Sequence, residues 1–214
     1  VSVMEQGTHS LIELLETIAD NKYVLGDRLV EVGVSGPNLE ATLSAIAMAQ
    51  GELGHARLLY NWCFDLKGVK GKKPDIQAQT GKAFQTAVNV QNWISLIASL
   101  YAINAAIDIV FQTVLKTSHS KVASRIQKLV REQHDHIIYA ENWAKQLLLD
   151  QGAVPYRFQE ALREAAEEAK AWLAKVEKSE ELKKEGYFPE TPSFTEKFEK
   201  RLQQLNAEQL VQAK

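Results

Sequence analysis

Glu52 and His55 lie three positions apart inside a long helical pattern, in the stretch Gly51-Glu52-Leu53-Gly54-His55-Ala56-Arg57. On a helix this spacing sets both side chains on one face, a turn from each other. A carboxylate and an imidazole so placed can share one metal ion. Four-helix bundles that hold two iron ions carry two Glu-x-x-His pairs on two helices and one carboxylate on each of the other two. Spacing alone is weak evidence, since glutamate is common in helices and a chance histidine on a solvated face is ordinary. The motif gains meaning only if the remaining helices bring ligands to the same level.

The elements that would position them are all helices, because no run alternates with period two between turn signals. The first helix is predicted from about Ser10, an N-cap with Glu13 three residues on, to about Val32, with Leu11, Leu14, Leu15, Ile18, Leu25 and Leu29 inward. Gly33, Gly36 and Pro37 break it, and Asn38 caps a second helix to about Leu66 with Leu43, Ile46, Leu53, Leu59 and Phe64 inward. The short connection makes the pair antiparallel. Gly68 to Pro74 reads as an exposed, lysine-rich loop, followed to about Gln85 by loop with short helical pieces. A third helix, roughly Val88 to Lys116 and capped near Asn89 or Asn92, carries a single charge, Asp108, between Trp93 and Leu115. Its length and apolarity would suit a membrane span, but Asn104, Asp108 and Gln112 form a polar stripe that fits a central helix of a bundle better. Thr117 to Ser120 makes the next turn.

A fourth helix, about Lys121 to Leu149, has an inward line of Val122, Ile126, Leu129, Gln133, His136, Ala140, Ala144 and Leu147. Gln133 and His136 in that line each need a partner inside the protein. Glu132 and Asp135 fall on the more polar side with Arg125 and Lys128. A highly charged fifth helix is expected from about Pro155 to Lys184, with Ala-Glu-rich content typical of an exposed face. A last helix, about Phe194 to Val211, shows Phe198, Leu202 and Leu205 on one side.

In an antiparallel hairpin, residues equidistant from the turn share a level. Glu52 then faces Lys22, with Asp20 and Asn21 close by, and Gln133 faces Asn104. The common layer reads Lys22, Glu52 with His55, Asn104, and Gln133 with His136. Glu52, His55 and His136 are the metal-binding candidates, in a degenerate layer expected to be empty. Lys22, Asn104 and Gln133 stand where carboxylates would be needed. Asp20, Asp108, Glu132 and Asp135 are the replacement ligands if the levels differ by a turn. A pair of iron ions needs anionic ligands, amides are weak donors, and an ammonium is repelled. Lys22 instead is expected to supply positive charge beside Glu52. Taken singly, His136 reads as a core histidine, and His9, His119 and His134 as surface residues. Asp108 reads as a partner of Arg28, Lys22 or a helix N-terminus, and Trp62, Trp93 and Trp143 as packing.

Composition narrows the classes. The 214 residues, 45% hydrophobic and 24% charged, fit one soluble all-α domain: a bundle core over about 10–150 and a helical appendage over about 153–214. A net charge of −2 gives no reason to expect nucleic acid or an anionic membrane as partner. A single cysteine, Cys63, excludes an internal disulfide and fits the cytoplasm, and no signal peptide is visible.

The stretches Asp20 to Glu31, Gly36 to Glu40 and Leu53 to Arg57, with Arg131-Glu132-Gln133-His134-Asp135-His136, resemble the bacterial phenylacetyl-CoA epoxidase family. The resemblance covers roughly residues 10 to 150. It implies a ferritin-like four-helix bundle with additional C-terminal helices and a role in a multicomponent ring-epoxidising monooxygenase of aerobic phenylacetate catabolism. That family pairs a catalytic di-iron subunit with a homologous structural one. The catalytic pattern is Glu, Glu-x-x-His, Asp and Glu-x-x-His on successive helices. The matching positions here read Lys22, Glu52 with His55, Asn104, and Gln133 with His136, which resembles the structural subunit. The resemblance implies a non-catalytic chain without a cofactor of its own, a homologous di-iron partner and a CoA ester near their interface; a homodimer is the further partner considered. The alternatives are an active di-iron oxygenase that binds one or two irons through the replacement ligands, and an iron-storage protein.

Overall fold

The computed structural model describes residues 6–117 and 119–212, with side chains from 8 to 206, so Ser118 in the predicted second turn lies outside the described residues. The chain forms α1 (Gln6–Glu31), a 3-10 turn at Gly33–Ser35, α2 (Leu39–Leu66), α3 (Gln85–Val88), α4 (Trp93–Leu115), α5 (Ser120–Leu149), α6 (Val154–Val176), α7 (Glu180–Lys184) and α8 (Phe194–Gln212). No strand occurs among the described residues. The fold is all-α and consistent with a ferritin-like bundle extended by C-terminal helices.

Small residues set the first hairpin. Gly26, Gly33 and Gly36 of α1 and its turn lie against Ala49, Ala45 and Ala41 of α2, and a Cβ on Gly26 would come within 2.7 Å of the Leu53 side chain. The backbones can therefore approach closely, and α1 and α2 pack along their length. Asn38 Oδ1 accepts the Ala41 N–H at 2.8 Å, capping α2 as predicted. Two of the residues assigned to the core side of α2 lie elsewhere: Leu43 and Ile46 are 58% and 39% exposed. Ala41, Ala45 and Ala49 take the core side over the first half of the helix, whereas Leu59 is fully buried as predicted, with Tyr60 and Trp62 beside it. The Ser10 cap is also corrected, because α1 starts upstream at Gln6 and passes through Ser10.

α4 and α5 form the second antiparallel hairpin, with α4 capped by a reciprocal Asn92–Ser95 box. The 3-10 turn that precedes α2 packs beside α4, so α2 and α4 start at the same end and run parallel. The connection from 67 to 92 must return the length of α2, about 42 Å, which is the single long crossover of ferritin-like bundles. Asp20 holds it down. Its carboxylate accepts the Thr80 N–H at 2.7 Å, the Thr80 hydroxyl at 2.7 Å, the Lys82 N–H at 2.6 Å and the Tyr60 hydroxyl at 2.5 Å. Asn21 accepts the Phe84 N–H at 2.9 Å, and the Glu168 carboxylate accepts the N–H groups of Gln85 and Thr86.

α4 is the one helix among the described residues long and apolar enough to cross a membrane, and 89% of that window is buried inside the fold. Its apolar surface is covered by α5, α6, α8 and α1. The predicted extent of the fifth helix to Lys184 is corrected here. α6 ends at Val176, and Phe158, Leu162, Ala165, Ala169 and Leu173 bury a full stripe of it, packed mainly on α4. α8 seals the same side with Phe194 and Phe198, both fully buried, and Leu205.

Candidate functional site

The levels predicted from the two turns meet in space. Lys22 of α1, Glu52 of α2, Asn104 of α4 and Gln133 of α5 are all 0% exposed. The Lys22 ammonium donates to Asn104 Oδ1 at 2.5 Å and lies 3.2 Å from Glu52 Oε2 and 3.4 Å from Oε1. Asn104 Nδ2 donates to Glu52 Oε1 at 2.9 Å. His136 Nδ1 lies 2.7 Å from the same oxygen, and with Glu52 ionised this nitrogen must carry the proton. Gly51 makes that approach possible, because a Cβ there would come within 2.7 Å of the His136 ring.

Burial would raise the Glu52 carboxyl, but the Lys22 ammonium and the His136 hydrogen bond outweigh it and hold the group far below the usual carboxylate range. Burial draws Lys22 downward from its ordinary value, opposed by the Glu52 charge and more weakly by Asp108. The two directions pull against each other; the Glu52 side decides, since three donors converge on one carboxylate and keep it ionised.

His55 is buried, and its Nε2 lies 2.9 Å from Glu132 Oε2 at the rim of the bundle. Burial, followed by the nearby Lys22 charge, lowers His55 to about 4, so the ring is neutral at neutral pH and Nε2–H donates to Glu132. The His55 and His136 rings stack at 5.6 Å between centroids. Glu52 Oε2, His55 Nδ1 and both amide atoms of Gln133 are buried without a hydrogen bond. The Lys22 ammonium approaches Oε2 closely, but off the hydrogen-bonding direction.

The other candidates sit apart. Asp20 is committed to the crossover, as described. Asp108 is paired with Arg201 of α8 at 2.9 Å rather than with Arg28, Lys22 or a helix end, and Arg28 instead holds Asp27 and Glu31. Asp135 is exposed, and Glu132 reaches the layer only through His55. His119 is more than a surface residue: its ring stacks on Tyr187 at 4.4 Å and its Nε2–H donates to the Glu185 carbonyl. Arg201 was not among the predicted site residues, although it falls on the same face of the last helix as Phe198 and Leu205. Gly51 stands beside Glu52 in the motif, and spacing alone carries no sign that it clears room for the His136 ring.

Ligand atoms of Glu52, His55 and His136 lie within 4.8 Å of one another. One carboxylate and two imidazoles are a donor set for a single divalent ion, and the bare atoms Glu52 Oε2 and His55 Nδ1 are lone-pair donors. A pair of ions does not fit. Two iron ions carry roughly four to six positive charges and call for several carboxylates, whereas this layer holds one carboxylate and already contains an ammonium.

One carboxylate and two imidazoles thus meet in a buried layer of an all-α bundle. The chain matches the phenylacetic acid catabolic protein family over residues 2–212 and belongs to it. No curated protein matches it significantly. Its family places the chain in phenylacetate catabolism.

Proposed function

We propose that this chain is the structural, non-catalytic subunit of a multicomponent monooxygenase that epoxidises the ring of phenylacetyl-CoA, and that it supports a homologous di-iron subunit. The observation that carries the reading is Lys22. A fully buried ammonium ion-paired to Glu52 stands in the layer where a second helix would have to contribute a carboxylate. Lys22 takes over the charge of one metal ion, so Glu52 is neutralised without iron. Oxygen activation then belongs to the partner, and this chain contributes docking surface and helps shape the entrance for the CoA ester. An active di-iron oxygenase is less well supported, since Asp20 and Asp108 are occupied by the crossover and by Arg201.

Iron analysis of protein purified anaerobically tests the reading. The expected content is well below one iron per chain, together with capture of a co-expressed di-iron homologue. About two tightly held irons per chain, or turnover of phenylacetyl-CoA without the homologue, would overturn it.

A further inference from the structure

α4 and α6 begin at the same end of the bundle. The turn from α5 to α6 is short and α6 packs along α4, so the first turns of two 23-residue helices border one cavity of about 720 Å³. That volume is in the range of small-molecule sites. A helix N-terminus favours negative charge and disfavours positive charge. Neither first turn supplies an acidic side chain, and α6 instead carries Arg157 at the end of its own. The Arg157 guanidinium lines the cavity and has no hydrogen bond or ion pair among the described residues. A local rule broken without compensation inside the chain points to function. Trp93, only 8% exposed, lines the same cavity, and its indole N–H is buried without an acceptor. A buried donor of this kind calls for a bound group that accepts.

The rest of the wall has a different character. Tyr156, 68% exposed, borders the cavity from the solvent side. Glu164 lies two turns beyond Arg157, about 10 Å along the helix, and is also unpaired, whereas Glu160 between them is held by Arg163. We infer that this cavity binds a nucleoside phosphate. The phosphate lies between Arg157 and the α4 N-terminus, the base packs on Tyr156, and an amino group of the base donates to Glu164. A simple anion would leave Tyr156 and Glu164 unused, and a ligand charged at both ends would meet repulsion from the glutamate. A free nucleotide and the nucleotide end of CoA share this chemistry. The second source rests on the subunit role proposed above; the first does not.

Calorimetric titration of the full chain with ADP, with CoA and with inorganic phosphate tests it. The expected result is binding of ADP, CoA or both with a dissociation constant below about 1 mM. Arg157→Ala should weaken it at least about tenfold, and Tyr156→Ala and Glu164→Ala severalfold each. All three positions are exposed, so helix content and melting should stay as in the unaltered chain. CoA bound more than about tenfold tighter than ADP supports the inference with CoA as the source, and comparable binding supports it with a free nucleotide. Binding of neither overturns it, as does binding indifferent to Arg157→Ala. Inorganic phosphate bound as tightly as ADP and CoA means an adventitious ion only and also overturns it. Iron content and capture of the di-iron homologue, which test the subunit role, are read separately from these titrations.

Discussion

The Lys22 ammonium is enclosed by the Glu52 carboxylate and the Asn104 amide. Removing one partner of a buried pair leaves the other charge uncompensated, typically at about 3–5 kcal/mol. Lys22→Met is therefore expected to lower the denaturation midpoint sharply. Adding Glu52→Gln should recover much of the loss, because the remaining layer is then neutral. An unchanged midpoint for Lys22→Met would show that the pair contributes nothing to stability. His55 gives a pH signature. Its folded-state value of about 4 lies below its ordinary 6.5, so between those values the unfolded chain binds a proton that the folded chain does not. Stability should rise with pH across that window by up to about 1.4 kcal/mol per unit, and His55→Asn should flatten the rise. Glu52 adds a separate loss at lower pH, because a carboxyl held below its usual range destabilises the fold as it protonates.

At the scale of elements, the layer depends on two registers and one strap. Gly51 allows α5 to bring His136 onto Glu52, and a methyl group there meets the ring. Gly51→Ala should cost about 1–3 kcal/mol through overpacking and shift the His136 ring resonances in an NMR spectrum. An unmoved ring would refute the tight approach. Asp20 ties the crossover to α1 through two backbone donors and the Thr80 hydroxyl, and accepts the Tyr60 hydroxyl of α2 as well. Asp20→Ala should speed hydrogen exchange at Thr80 and Lys82 and lower stability by about 2 kcal/mol. The Lys22–Glu52 pair lies outside this network, so the pH dependence of His55 should persist in the variant.

Over the whole molecule, α4 is the axis, enclosed by α1, α5, α6 and α8. Phe198→Ala, which empties a fully buried site between α8 and the bundle, should cost about 3–5 kcal/mol by thermal or denaturant melting. A loss below about 1 kcal/mol would mean that α8 is an ornament rather than part of the core. Most of the helices, the Asn38 cap, a cap at Asn89 or Asn92 and the shared level of Lys22, Glu52, Asn104 and Gln133 were legible in the chain, because periodicity and turn position are local properties. The exposure of Leu43 and Ile46 was not legible. The first half of the α2 core face is built on Ala41, Ala45 and Ala49, whose weak hydrophobic signal was outvoted by Leu43 and Ile46. Nor could local pattern show that α6 covers α4, that Arg201 answers Asp108 across 93 positions, or that Asp20 belongs to the crossover. The sequence by itself determined which residue types reach mid-bundle, and so that negative charge there is scarce. Only the tertiary structure decided which donors satisfy Glu52, because pairing among buried charges depends on distances of a few ångströms that spacing along a helix does not set.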